Sequence, residues 1–149
     1  MTKVKDSNYI NRFSEILNNS FKKNYRELDK ILKLFQLVKR KNNKILIFGN
    51  GGSAAIANHV VIDFNKVAKL RTMTINNSST ITCLSNDYGF ENWIKEALKF
   101  SLKKNDLLIL ISSSGESQNM INACHEASKF TKNIVTFTGF RKNNKLSKI

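Results

Sequence analysis

Two short apolar runs, Ile45-Leu46-Ile47-Phe48 and Leu107-Leu108-Ile109-Leu110-Ile111, each stop at a polar, glycine-bearing turn and pass into a stretch with helical spacing. Continuous rather than alternating apolar character is the pattern of a strand buried on both faces, as in a parallel sheet. Strand, turn and helix repeated along a chain predict an α/β fold whose helices cover both faces of that sheet.

The rest of the chain is read around those two runs. Ile10, Phe13, Ile16 and Leu17, then Tyr25, Leu28, Ile31, Leu32, Phe35 and Val38, fall at helical spacing. They predict a pair of N-terminal helices over 1–43, with Ser20 capping the second. Residues 44–149 then form the sheet domain: a helix from Ser53 to about Asn65, an extended piece Arg71–Ile75, and a turn at Asn86-Asp87-Tyr88-Gly89-Phe90. A helix to Leu102, the strand 107–111, a helix to about Phe130 and a last strand Asn133–Thr138 follow. Proline is absent, so no boundary can be read from it.

Whole-chain properties exclude several classes. At 149 residues, the chain is one domain's worth, enough for a core without metal or disulfide staples. Cys83 and Cys124 stand far apart in no metal-type spacing and read as small buried apolar residues in a reducing compartment. Met1 to Lys5 is polar and not a signal peptide, and no apolar run reaches bilayer length, so a cytoplasmic protein is expected. The net charge of +14 comes from lysines spread along the whole chain, without a basic stripe or interleaved aromatics. It is therefore read as solvated surface and not as a nucleic-acid footprint, although a positive field would concentrate anionic substrates.

The two turns carry the chemistry. Asn50-Gly51-Gly52-Ser53 follows the first strand, where glycines let backbone approach an anion and the next helix offers free N–H groups. The third glycine of a dinucleotide fingerprint and the Gly-Lys-Ser/Thr of a P-loop are both missing. Ser112-Ser113-Ser114-Gly115-Glu116-Ser117 follows the second, and a single helix cap would account for only one of its four hydroxyls. Gly115 has no partner glycine for a nucleophile elbow. Glu116 would oppose a bound phosphate unless its side chain points away. His59 and Asp63, at i and i+4, share a helix face and can serve one metal ion or one substrate. By itself, a histidine among Ile56, Val60 and Val61 reads more often as a packing residue, and His125 reads as a surface residue of its helix.

Three segments in order, Ile47–Ala55, Asn86–Phe90 and Ile111–Ser117, resemble the successive motifs of the phosphoheptose isomerases, a branch of the sugar-isomerase (SIS) domain family. The resemblance runs from about Ile45 to the end. It implies a flavodoxin-like three-layer α/β/α sandwich and a homotetramer with sites between subunits. The implied activity is aldose–ketose isomerisation of sedoheptulose 7-phosphate for surface-glycan (lipopolysaccharide) precursors. Ser112, Ser113, Ser114 and Ser117 match the loop that holds the sugar phosphate. Asn50, Gly51, Gly52 and Ser53 match the loop lining the sugar, and Asp87 a site-lining acid. His59 and Asp63 match the catalytic and metal-binding pair, where some members bind zinc; no organic cofactor is implied.

Two departures stand out. Asp63 is one methylene shorter than the family's glutamate base, and a misplacement of about 1 Å can cost on the order of a hundredfold in rate. The family's distal strand and helix, with a glutamine and a histidine that complete the cluster, find no counterpart before Ile149. The expectation is a piece of a longer chain or a shortened member with half a site. The competing expectation is a non-catalytic module that binds a phosphosugar or a protein partner, since some relatives associate with a replication initiator.

Overall fold

The computed structural model describes residues 6–149; the polar Met1–Lys5 stretch lies outside them. The order is α1 (Asp6–Arg40), β1 (Lys44–Gly49), α2 (Gly52–Lys66), β2 (Arg71–Met73), α3 (Ser78–Tyr88), α4 (Trp93–Ser101), β3 (Leu107–Ile111), α5 (Gln118–Ala127), β4 (Ile134–Phe137) and a final 3₁₀ turn, Leu146–Lys148. Residues up to Leu34 form one compact unit and Phe35–Ile149 another.

The expected helical pair is one continuous helix of 35 residues. The first glycine of the chain is Gly49 and there is no proline, so nothing breaks the ladder before Arg40. Ser20 does not cap; its carbonyl accepts the Asn24 side-chain amide at 2.8 Å from within the helix. A second correction concerns residues 78–88. The Asn86-Asp87-Tyr88 segment read as a turn is the last part of α3, whose N-cap Asn77 accepts a hydrogen bond from the Thr80 N–H at 2.8 Å.

All strand pairs are parallel, in the order β2-β1-β3-β4. Side chains alternate across the sheet. Leu46, Phe48, Leu108 and Leu110 point to one face, where they join Trp93, Ile94 and Leu98 of α4 and Met120, Ala123 and Cys124 of α5 in the main core. Ile45, Ile47, Leu107 and Ile109 are buried on the other face, which α2 covers through Ala57. The last turns of α1 belong to this layer, since the Phe35 ring meets Phe64 of α2 edge-on at 5.3 Å. The three-layer α/β/α sandwich is thus present as expected.

The two ends of the sheet are finished differently. At the amino end, buried Asp106 accepts from the N–H groups of Lys44 (2.8 Å) and Lys103 (2.9 Å), and its carbonyl takes the Thr131 hydroxyl at 2.8 Å. That end is stapled shut by side chains. At the carboxyl end the strands run into the glycine and serine turns. Of the two cysteines, Cys124 is buried as expected, but Cys83 is exposed on α3.

Candidate functional site

From β1 the chain crosses to β2 on one side, and it then returns past β1 to β3 on the other. In such a sheet the crevice between the two central strands, beyond their carboxyl ends, is where a ligand fits. The register makes this concrete: Gly49 is the cross-strand partner of Ile111. The turns at 50–53 and 112–117 therefore leave the sheet side by side.

Gly49 lets α2 start directly against its strand. A Cβ there would lie 2.4 Å from the backbone carbon and oxygen of Ser53. The Asn50 carbonyl accepts the Ser53 N–H at 2.9 Å and closes the turn. Gly51 occupies the left-handed region at φ 52° and caps α2 without any side-chain bond. Around Gly51 and Gly52 nothing lies within 4 Å of where a Cβ would be, and both are exposed.

The serine loop is held from behind and free in front. Ser112 is buried; its hydroxyl accepts the Gly115 N–H at 3.2 Å, and its own N–H donates to the Phe137 carbonyl at 2.9 Å. The exposed Ser113 uses its carbonyl to accept from the Gly139 and Phe140 N–H groups, both at 2.9 Å, and among the described residues its hydroxyl has no hydrogen-bond partner. Ser114 accepts the Glu116 N–H at 3.2 Å. Ser117 stands at the N-cap of α5, yet its hydroxyl makes no capping bond. The first amides of a helix have no carbonyl to pair with and carry the positive end of its dipole. A free hydroxyl, a second free hydroxyl and those amides together form a cradle for a tetrahedral anion.

Glu116 does point away. Its carboxylate accepts the Lys145 N–H at 3.1 Å and lies 3.4 Å from the Lys145 ammonium. The backbone bond from Lys145, with that side chain in support, holds the Glu116 carboxyl below its usual range.

Sequence reasoning missed what lies behind the loop. The Leu146 N–H donates to the Gly115 carbonyl at 3.0 Å, and the Leu146 side chain is 1% exposed within the main core. Gly115, at φ 66°, is packed so closely by the Asn144 side chain that a Cβ would lie 2.1 Å from Asn144 Oδ1. Asn144 is itself fully engaged: its amide donates to Thr138 Oγ1 (3.0 Å) and the Arg141 carbonyl (2.7 Å), and its oxygen accepts the Ser147 N–H (2.9 Å). The segment 144–147 is thus a backing plate for the serine loop. The sequence sign of it was Leu146, an apolar residue within a lysine- and asparagine-rich tail.

Asn119 was also missed. It is 2% exposed in the first turn of α5 and exchanges two hydrogen bonds with Asn50, each at 2.9 Å. This is the direct side-chain link between the glycine turn and the helix of the serine loop.

His59 and Asp63 come together on α2, with His59 Nε2 3.4 Å from Asp63 Oδ2, and both side chains are mostly exposed. The packing alternative for His59 is thereby removed. Among the described residues no hydrogen bond or ion pair joins this pair to either loop. Asp87 sits in the last turn of α3, exposed, where it accepts from the Asn86 amide at 3.0 Å and lies 3.8 Å from the Cys83 sulfur. A tight zinc site needs three or four protein donors. The described residues contain no cluster of three or more His, Cys, Asp or Glu side chains, so the His59/Asp63 pair alone does not fit the metal.

Comparison with known proteins decides the family. The SIS domain model matches residues 8–139. The chain belongs to the SIS domain family. It is 35% identical over 107 residues to the phosphoheptose isomerase of Fusobacterium nucleatum, covering 68% of this chain and 55% of that protein. To the phosphoheptose isomerase of Thermodesulfovibrio yellowstonii it is 30% identical over 135 residues, covering 87% of this chain and 67% of that one. The structure of a phosphoheptose isomerase from Francisella tularensis superposes with a TM-score of 0.89 at 24% identity, over 100% of this chain and 80% of that chain, a match of fold. The chain thus spans a little over half the length of the first of these SIS relatives. No helix among the described residues is long and apolar enough to cross a membrane.

Proposed function

We propose that this chain binds a phosphorylated sugar at the β1/β3 crevice and isomerises it between ketose and aldose, with sedoheptulose 7-phosphate as substrate. The observation that carries the reading is the Gly49–Ile111 register, which sets the free Ser113 and Ser117 hydroxyls and the first amides of α5 beside the open glycine turn. The serine loop would take the phosphate, with Ser112 and Ser114 shaping it through their bonds to Gly115 and Glu116. Asn50, Gly51, Gly52 and Ser53 would line the sugar, and Asp87 would face it from α3.

Isomerisation moves one proton between two carbons and one between their oxygens. A base removes the first from the carbon beside the carbonyl while an acid protonates the carbonyl oxygen, which gives an enediol. The carbon-bound proton then returns at the former carbonyl carbon as the neighbouring hydroxyl gives up its own to become the new carbonyl. Asp63 is the proposed base, with His59 at 3.4 Å to hold its carboxylate or to exchange a proton with the sugar oxygens. No step is routed through zinc; a metal would need donors beyond the described pair. The exposed row Tyr9, Ile10, Phe13, Ile16, Phe21 and Tyr25 along α1 supports a homo-oligomer, a tetramer in the proposed reading. The proposed setting is the cytoplasm, in the synthesis of surface-glycan precursors.

A second reading, a SIS module that binds the sugar without turnover, is favoured by the exposure of the His59/Asp63 pair and its lack of a third donor among the described residues. Proton NMR of the chain with sedoheptulose 7-phosphate in heavy water separates the two. Loss of a carbon-bound proton signal with new aldose resonances establishes the isomerase, and Asp63→Asn should then abolish the exchange while sparing binding. Sugar that is bound but never exchanges supports the module.

A further inference from the structure

We infer that Asn119 is a positioning residue that fixes the carboxamide of Asn50 for contact with sugar hydroxyls, and so tunes sugar recognition separately from phosphate binding. The inference rests on the phosphosugar reading above.

The geometry is a closed ring of two hydrogen bonds. Asn50 Nδ2 donates to Asn119 Oδ1 and Asn119 Nδ2 donates to Asn50 Oδ1, each at 2.9 Å. A single bond would let Asn50 swivel, whereas two opposed bonds fix the plane of its amide. Asn119 is immobilised in turn, because it is 2% exposed and its oxygen also accepts the Met120 N–H at 3.0 Å. Burial places Asn119 behind Asn50, out of reach of a ligand in the crevice. Its influence must therefore pass through its neighbour.

An asparagine amide offers two N–H donors and two acceptor lone pairs. The ring uses one of each on Asn50, whose side chain is half-buried at the mouth of the glycine turn. One donor and one acceptor remain, on opposite edges of the amide and in a fixed plane. Each suits a sugar hydroxyl, which can accept from the N–H or donate to the carbonyl oxygen. Because the carboxamide is ordered before the ligand arrives, binding need not freeze it. The phosphate is assigned to other groups, the Ser113 and Ser117 hydroxyls and the N–H groups of Gln118 and Asn119. The α5 amide that does bond to Asn119 Oδ1, that of Met120, is already turned to the Ser117 carbonyl.

The test compares two probes, sedoheptulose 7-phosphate and inorganic phosphate, titrated into the full chain and its variants. Asn119→Ala should weaken sugar-phosphate binding by about tenfold and leave phosphate binding within about twofold. The same change in an Asn50→Ala background should cost nothing further. Equal loss for both probes, or undiminished loss in the Asn50→Ala background, would mean that Asn119 merely holds α5 together and would overturn the inference. Should Asn119→Ala not fold, the unmodified chain decides: one Asn50 side-chain N–H slow to exchange with solvent supports the ring, and both exchanging as in a free amide overturns it. That last measurement needs no ligand, so the ring can be judged even if the unmodified chain takes phosphate but refuses the sugar phosphate, an outcome that sinks the phosphosugar reading itself.

Discussion

Gly49 at the end of β1 and Ile111 at the end of β3 are paired across the sheet, so the two polar turns that follow them begin one strand spacing apart. Strand spacing is about 4.8 Å, which is close to the span of a phosphate and its first ester carbon. Both turns can therefore contact one small ligand without either having to reach.

Gly49→Ala tests how tightly this arrangement is drawn. The new methyl would overlap the Ser53 backbone at 2.4 Å, and backbone cannot move aside as a side-chain tip can. The expected loss is about 3 kcal/mol of stability, read as a lowered urea midpoint. A midpoint within error of the parent would mean that α2 can slide outward freely.

Ser112 and Ser117 should separate by role although both belong to one serine run. Ser112→Ala removes one of two acceptors of the Gly115 N–H, which keeps the Ser112 carbonyl at 3.1 Å, and should cost about 0.5–1 kcal/mol of stability. Ser117→Ala removes a hydroxyl that bonds to nothing in the fold, so thermal midpoint should hold while phosphosugar affinity falls severalfold. Calorimetry on both variants checks the pair. A Ser117→Ala protein that binds as well as its parent would move the phosphate elsewhere.

Leu146→Ala should destabilise the chain by about 2–4 kcal/mol, because a 1% exposed side chain leaves a cavity against Met120 and Cys124 of the core. Amide exchange should quicken in 112–117 as well as at the C-terminal turn, since the Leu146 N–H braces the Gly115 carbonyl. Faster exchange confined to residues 140–149 would show that the backing segment does not support the loop.

The link between Glu116 and Lys145 should respond to acid. The Glu116 carboxyl is held below its usual range, chiefly by the Lys145 N–H, so the folded form favours the ionised state. A depressed folded value contributes stability above the ordinary carboxylate range, and that contribution is lost as pH falls toward the depressed value. Exchange at Lys145 should therefore speed up on acidification across and below the carboxylate range, beyond the trend of other amides. Glu116→Gln should remove that extra pH dependence. Identical pH profiles for the two proteins would disprove the link.

Much of this was legible in the residues, and the failures have physical causes. The runs 45–48 and 107–111 are apolar throughout and could only be buried strands, so the sheet and the two polar turns at its carboxyl end followed. The helix α3 was hidden because Ser78, Ser79, Thr80, Thr82 and Ser85 are weak helix formers that favour turns in isolation. Its core-facing apolar signal is Ile81 and Leu84, spaced three apart and packed on the core. A break at Ser20 was inferred from a capping residue type, but a cap needs a chain that bends, and nothing between Asp6 and Arg40 bends it. Asn119 and Asn144 were invisible because a buried asparagine differs from a solvated one only in its partners, which lie 69 residues away for Asn119.

The glycines of the first turn divide into two kinds with different visibility to selection. Gly49 is walled in by protein, whereas the space beside Gly52 is empty of it. A change at Gly49 would be caught by any screen for folded protein. A side chain added at Gly52, the first residue of α2, would pass that screen and enter the volume assigned to the sugar in the proposed reading. On that reading, variation at Gly52 would accumulate silently in a copy that had stopped binding its ligand, which makes this one position a record of whether a SIS chain of this kind is still in use.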